Sequence, residues 1–160
     1  FMTPTSPPSL APGLWPRLQQ GWAHLCRLLD ALQPLAALAA RLYVAQVFFL
    51  SGLTKLRDWD TTLALFTDEY HVPLLSPALA ALTGTAGELL LPVLLVLGPG
   101  ARFAALGLLV VNAVAVVSLA EIAPAALQQH ILWGALLTAL AIYGPGRWVL
   151  SLPGARRFTS

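Results

Sequence analysis

Three ionisable side chains stand inside long apolar runs of this sequence: Arg41, Glu88 and His130, with Gln46 and Asn112 as neutral companions. A charge at the centre of a bilayer costs roughly 2.5–3.5 kcal/mol on insertion scales, so a charge kept there is a functional hypothesis by default. Counting 1.5 Å per residue from the inner ends of the helices puts Arg41 about 10 Å deep, Glu88 about 14, Asn112 about 15, Gln46 about 18 and His130 about 20. A guanidinium, a carboxylate and an imidazole in adjacent layers can hold a polar headgroup, relay protons or compensate one another. The counted depths suit an Arg41–Glu88 ion pair between antiparallel helices, which removes the cost that either charge carries alone. Pro92 adds to this place. A proline inside a helix lacks its donor and crowds the carbonyl four residues back, here that of Glu88. Carboxylate and freed carbonyl together make a polar notch able to take a proton, a cation or a ligand hydroxyl. Thr83, Gly84, Thr85 and Gly87 lie one turn away and allow close helix approach.

Each of these residues also has a structural reading. Polar residues in membrane bundles often serve as interhelical glue. Arg41, near its helix end, can snorkel to the inner headgroups. His130 lies nearer the outer surface, where a packed, hydrogen-bonded histidine is as ordinary as a ligand. Lys55, Trp59 and Tyr70 can be outer-interface anchors. Glu88 is too deep and too short to snorkel, which weights it towards a functional role. Haem and metal are not expected. Of the three histidines only His130 lies within a span, His24 and His71 falling on opposite sides of the membrane, and no two His, Asp or Glu within one span share a helical face at i, i+3 or i+4 as a metal site prefers. Cys26 is the single cysteine, so there is no disulfide framework, dithiol pair or thiolate metal site. A formal charge of +2 with scattered basic residues leaves no nucleic-acid footprint.

The elements that must position these groups are read from composition and periodicity. Of 160 residues, 58% are hydrophobic and 10% charged, with a mean hydropathy of +0.75. Soluble domains carry about 25% charged residues, so this surface suits a bilayer rather than water. Four stretches reach the roughly 20 apolar residues that a span needs: 35–54, 74–97, from Arg102 to about Glu121, and 125–143. Pro34 starts the first, and Gly98-Pro99-Gly100 and Gly144-Pro145-Gly146 end the second and fourth. The echo between those two terminators hints at a parallel repeat of two hairpins, although shared terminator chemistry explains it equally well. Only helices and closed barrels satisfy their backbone in lipid, and these runs are too long and non-alternating for barrel strands. The expected fold is therefore an all-α membrane protein, a four-transmembrane-helix bundle.

Ahead of the bundle (34–146), residues 1–13 read as a flexible tail, and 147–160 as a tail behind it. Residues 14–33 carry apolar positions at Leu14, Leu18, Trp22, Leu25, Leu29 and Leu32 opposite Arg17, Gln20, His24 and Arg27. That pattern predicts an amphipathic interfacial helix on the inner leaflet, or one packed on a partner subunit. The apolar run begins too late for a signal peptide. Arg17, Arg27, Arg102, Arg147, Arg156 and Arg157 fall on one side with Arg41 near it. Lys55 and Arg57 fall on the other, diluted by Asp58, Asp60, Asp68 and Glu69. The positive-inside rule then places both termini in the cytoplasm.

The run Arg41-Leu42 through Phe48-Phe49-Leu50-Ser51-Gly52-Leu53-Thr54-Lys55-Leu56 to Trp59 resembles the first-span signature of the DoxX family. The Leu65-Phe66, Glu69-Tyr70, Val72-Pro73, Glu88-Leu89 and Leu91-Pro92 pairs, His130 and the closing Gly144-Pro145-Gly146 resemble it too, over roughly 38–146. The resemblance implies four spans in the bacterial plasma membrane and an association with redox complexes of sulfur or oxidative-stress metabolism. The family's Arg, Lys, Glu and His positions fall on Arg41, Lys55, Glu88 and His130. Two functions are then expected as alternatives. One is an accessory subunit of a quinone-linked redox system, working with redox partner subunits or as a homo-oligomer. Arg41, Lys55, Glu88, Asn112 and His130 are its ligand-binding or proton-relay candidates, and Trp133 and Phe48/Phe49 its flat apolar walls. The other is a non-catalytic scaffold or small transporter whose polar network is structural or substrate-conducting.

Overall fold

The computed structural model describes residues 13–150. Of the tails expected over 1–13 and 147–160, residues 1–12 and 151–160 lie outside the described residues, Arg156 and Arg157 included. Five helices form among the described residues: α1 (Leu14–Arg57), α2 (Trp59–Asp68), α3 (Pro77–Leu97), α4 (Ala101–Ser118) and α5 (Pro124–Tyr143). Four of them, α1, α3, α4 and α5, are long and apolar enough to cross a membrane. The chain is thus an all-α membrane bundle, and its second, third and fourth spans fall within a few residues of the expected limits. The first differs. Pro34, expected to start a span, lies inside α1, a single helix of 44 residues. A proline leaves one carbonyl without its intrahelical partner, and a helix can carry that single loss.

The chain divides into two compact units between Gln33 and Pro34. In the first, the side chains of Leu14, Leu18, Trp22, Leu25, Leu29 and Leu32 are all exposed. In the second, the core gathers Val44, Ala45 and Phe48 of α1, Leu95 of α3, Ala101, Ala104, Ala105 and Leu108 of α4, and Leu137 and Leu140 of α5. Without a hydrophobic drive between helices in lipid, close packing does the joining, and small residues permit it. At Gly52 a Cβ would lie 2.9 Å from Leu89 Cγ and 3.1 Å from Glu88 Cβ, so α1 meets α3 there at backbone distance. Gly87 against Val111 and Gly107 against Leu91 draw α3 and α4 together in the same way. The α1–α5 contact is aromatic, with Phe48 edge-on to Trp133 at 5.9 Å between ring centroids.

Asp58 starts α2 by accepting from the Thr61 amide at 3.1 Å, and its carboxylate also accepts from the Thr61 hydroxyl at 2.7 Å. Those two bonds hold the Asp58 carboxyl below the usual carboxylate range. Phe66 of α2 packs on Ala80 and Ala81 of α3 in a second apolar cluster. The strand-like segment after α2 is tied to the far end of α4. Tyr70 pairs with Leu119 in an isolated antiparallel bridge, and the His71 amide donates to the Ser118 carbonyl at 2.9 Å.

Candidate functional site

Lys55, not Arg41, is the partner of Glu88. Its Nζ lies 2.6 Å from Glu88 Oε2 and also donates to Ser51 Oγ, one turn back, at 2.9 Å. The local sequence explains how. Gly52 brings the backbones of α1 and α3 together beside Glu88, and Lys55, less than one turn further along α1, folds its long chain back to reach the carboxylate. Glu88 is 8% exposed and buried with its charge compensated.

The expected Arg41–Glu88 pair is corrected by the same geometry. Arg41 is 1% exposed, and it neither pairs with Glu88 nor snorkels. Its Nε donates to the Leu95 carbonyl at 2.9 Å, and its Nη1 to those of Pro145 at 3.0 Å and Trp148 at 2.7 Å. Its Nη2 donates to the Val96 carbonyl. These acceptors are carbonyls at the last turn of α3 and in the segment after α5, which the helices themselves leave without partners. A guanidinium with five donors in a planar fork can serve all four at once.

His130 and Asn112 form a reciprocal pair between α5 and α4. Asn112 Nδ2 donates to the His130 carbonyl at 2.9 Å, which fixes the amide orientation. Asn112 Oδ1 must then be the acceptor of the 2.8 Å contact with His130 Nδ1, so Nδ1 carries the proton. Nε2 is left as the free nitrogen. Gln46 is exposed on α1 and takes no part. Trp133 stacks edge-on under the His130 ring at 4.9 Å rather than walling a ligand site. Phe48 is core, and Phe49 faces outward.

Lys55, Glu88 and His130 share one cavity of about 610 Å³ with Ser51, Thr83 and Tyr70. Sites for small organic ligands run roughly 300–1,000 Å³ and are mostly apolar with a few placed polar groups, as here. The remaining wall is apolar apart from Ser118, chiefly Phe66, Leu75, Val110, Val111 and Val114. Tyr70 is the site residue that residue-type counting missed. Burial raises its hydroxyl above the ordinary 10.0, and the charges of Glu69 and Glu88 raise it further. It therefore stays a neutral donor. Its position in the Glu69-Tyr70 pair was visible in the sequence, but its contact with the cavity depends on the bridge to Leu119.

The DoxX family model matches residues 36–121, which hold Arg41, Lys55, Tyr70, Glu88 and Asn112 and stop short of His130. No curated protein and no solved structure matches the chain.

Proposed function

The chain belongs to the DoxX family, and from that premise we propose that it is an accessory membrane subunit of a quinone-linked redox system. The observation that carries this reading is the compensated Lys55–Glu88 pair in the wall of an otherwise apolar cavity, with His130 and Tyr70 on the same cavity. A quinone headgroup needs donors for its carbonyl oxygens, flat apolar contact and groups that exchange protons. Lys55 and Tyr70 supply donors, and Glu88 and His130 Nε2 supply proton exchange. Electrons come from a partner, since the one cysteine gives no dithiol. In this reading the chain lies in the bacterial inner membrane with both termini cytoplasmic, and residues 14–33 rest on the inner leaflet or on that partner. Arg41 belongs to the framework rather than the ligand.

The test is extraction of the protein purified in mild detergent, followed by chromatography of the lipids released. Co-purified quinone at near-equal molar amount, lost in a Glu88→Gln variant that elutes as the wild type does, is expected. A scaffold or small transporter is the competing reading, favoured by the wholly structural engagement of Arg41. Quinone-free protein, together with unchanged membrane quinone reduction in the Glu88→Gln strain, decides for it.

A further inference from the structure

We infer that the cavity is loaded sideways from the lipid, through a gap between α3 and α4, by an amphiphile with an uncharged headgroup. This rests on the reading of the cavity as a ligand site and specifies what enters it and from where. Three features of the fold define the gap. Its floor is the pair of close contacts at Gly87–Val111 and Gly107–Leu91, where α3 and α4 touch. Beside and beyond that floor, residues from both helices line the cavity, Thr83 and Gly84 on one side and Val110 and Val114 on the other. Thr83 and Val110 also reach the outer surface, Val110 at 63% exposure, so they form the lips of an opening on the helix faces that meet lipid.

The third feature is the roof. The segment from Tyr70 to Leu75 lies over the cavity and is held to the end of α4 by the Tyr70–Leu119 bridge and the His71–Ser118 bond. It forms the cavity wall at the loop end of the bundle. The lips carry no charge, and an apolar tail can stay in the bilayer while the headgroup turns in.

Charge selects the headgroup. Lys55 and Glu88 neutralise each other at 2.6 Å, and His130 holds its proton on Nδ1 towards Asn112. Among the described residues no unpaired cation lines the cavity to meet a phosphate. An anionic lipid headgroup would enter with its charge uncompensated at low dielectric, which is costly. A neutral ring bearing carbonyl or hydroxyl oxygens meets donors and acceptors without that cost.

The test uses the full chain in phosphatidylcholine nanodiscs and two probes, decylubiquinone and the same benzoquinone ring without a tail, read by quenching of the intrinsic tryptophans. Val110→Trp and Thr83→Trp plug the two lips separately. Val93→Trp, on an exposed α3 position outside the cavity, is the control. Each lip variant is expected to weaken decylubiquinone about tenfold or more, with the tail-less ring and the control near wild type. Unchanged decylubiquinone binding in both lip variants overturns the portal while leaving a quinone site standing. Equal loss of both probes also overturns it, because the plug has then merely collapsed the cavity. Displacement of decylubiquinone by phosphatidylglycerol overturns the uncharged-headgroup assignment. Binding of neither probe to the wild type removes the ligand-site reading itself.

Discussion

Lys55 and Glu88 show what one flexible side chain does to a site. Depth counted along the backbone placed Arg41 nearer to Glu88 and left Lys55 at the outer boundary, because the count follows Cα height and ignores a lysine's reach. A long lysine can bend inward to a buried carboxylate as well as outward to headgroups. With Glu88 8% exposed and the lysine side chain 21% exposed, the pair lies between a buried and a surface ion pair. Lys55→Met is expected to destabilise the protein by about 2 kcal/mol, between the surface and buried limits. Lys55→Met with Glu88→Gln should regain much of that loss, read as the midpoint of thermal unfolding in one detergent. Ligand binding stays lost in the double variant, which separates support of the fold from work at the site. Arg41 behaves oppositely. Arg41→Lys loses the planar fork, and with bonds to a charged donor worth about 1.5–3 kcal/mol each, at least about 3 kcal/mol of stability should go. Protein that remains folded should bind quinone as the wild type does, since Arg41 stands outside the cavity.

At the scale of elements, the four spans were legible because apolar runs of about twenty residues, two of them closed by Gly-Pro-Gly, have few other readings. Two features were not. α2 is ten residues long and partly polar, so nothing in a search for spans finds it, although Asp58 with Thr61 three residues on is a helix-start signal. The run of α1 through Pro34 was hidden because proline reads as a boundary. The glycines separate on a finer test. Gly52→Ala drives its methyl against Leu89 Cγ and Glu88 Cβ, atoms close to the α3 backbone, and should cost about 1–3 kcal/mol as overpacking does. Gly107→Ala meets chiefly Leu91 Cδ1, the movable end of a side chain, and should cost less. Urea midpoints of the two variants in the same detergent check the order, and Gly52→Ala alone should also weaken the Lys55–Glu88 site. The roof adds a pH dependence. The Tyr70 hydroxyl is raised above 10.0 in the folded chain, so the folded state holds its proton more tightly than the unfolded one. Its contribution is complete below about pH 10 and is lost as pH rises through the folded value. Tyr70→Phe should accordingly flatten the alkaline limb of a stability profile and leave the neutral region unchanged in slope.

For the whole molecule, the candidate site was legible as a set of residue types and not as a set of contacts. Glu88 and His130 could be singled out by depth alone. That they share a cavity, and that Asn112 sets the histidine's tautomer, depends on helix rotations that periodicity does not supply in spans hydrophobic on every face. Gln46 illustrates the point, since the same depth argument included it and its rotation turns it outward. The bonds of Arg41 carry one more consequence, which concerns time rather than energy. Two of its four acceptors, Pro145 and Trp148, follow it by 104 and 107 residues. At about 5–20 residues per second a ribosome needs roughly 5–20 s to make that stretch. The first span must therefore wait in the membrane with its guanidinium only partly met, and the segment after α5 completes it.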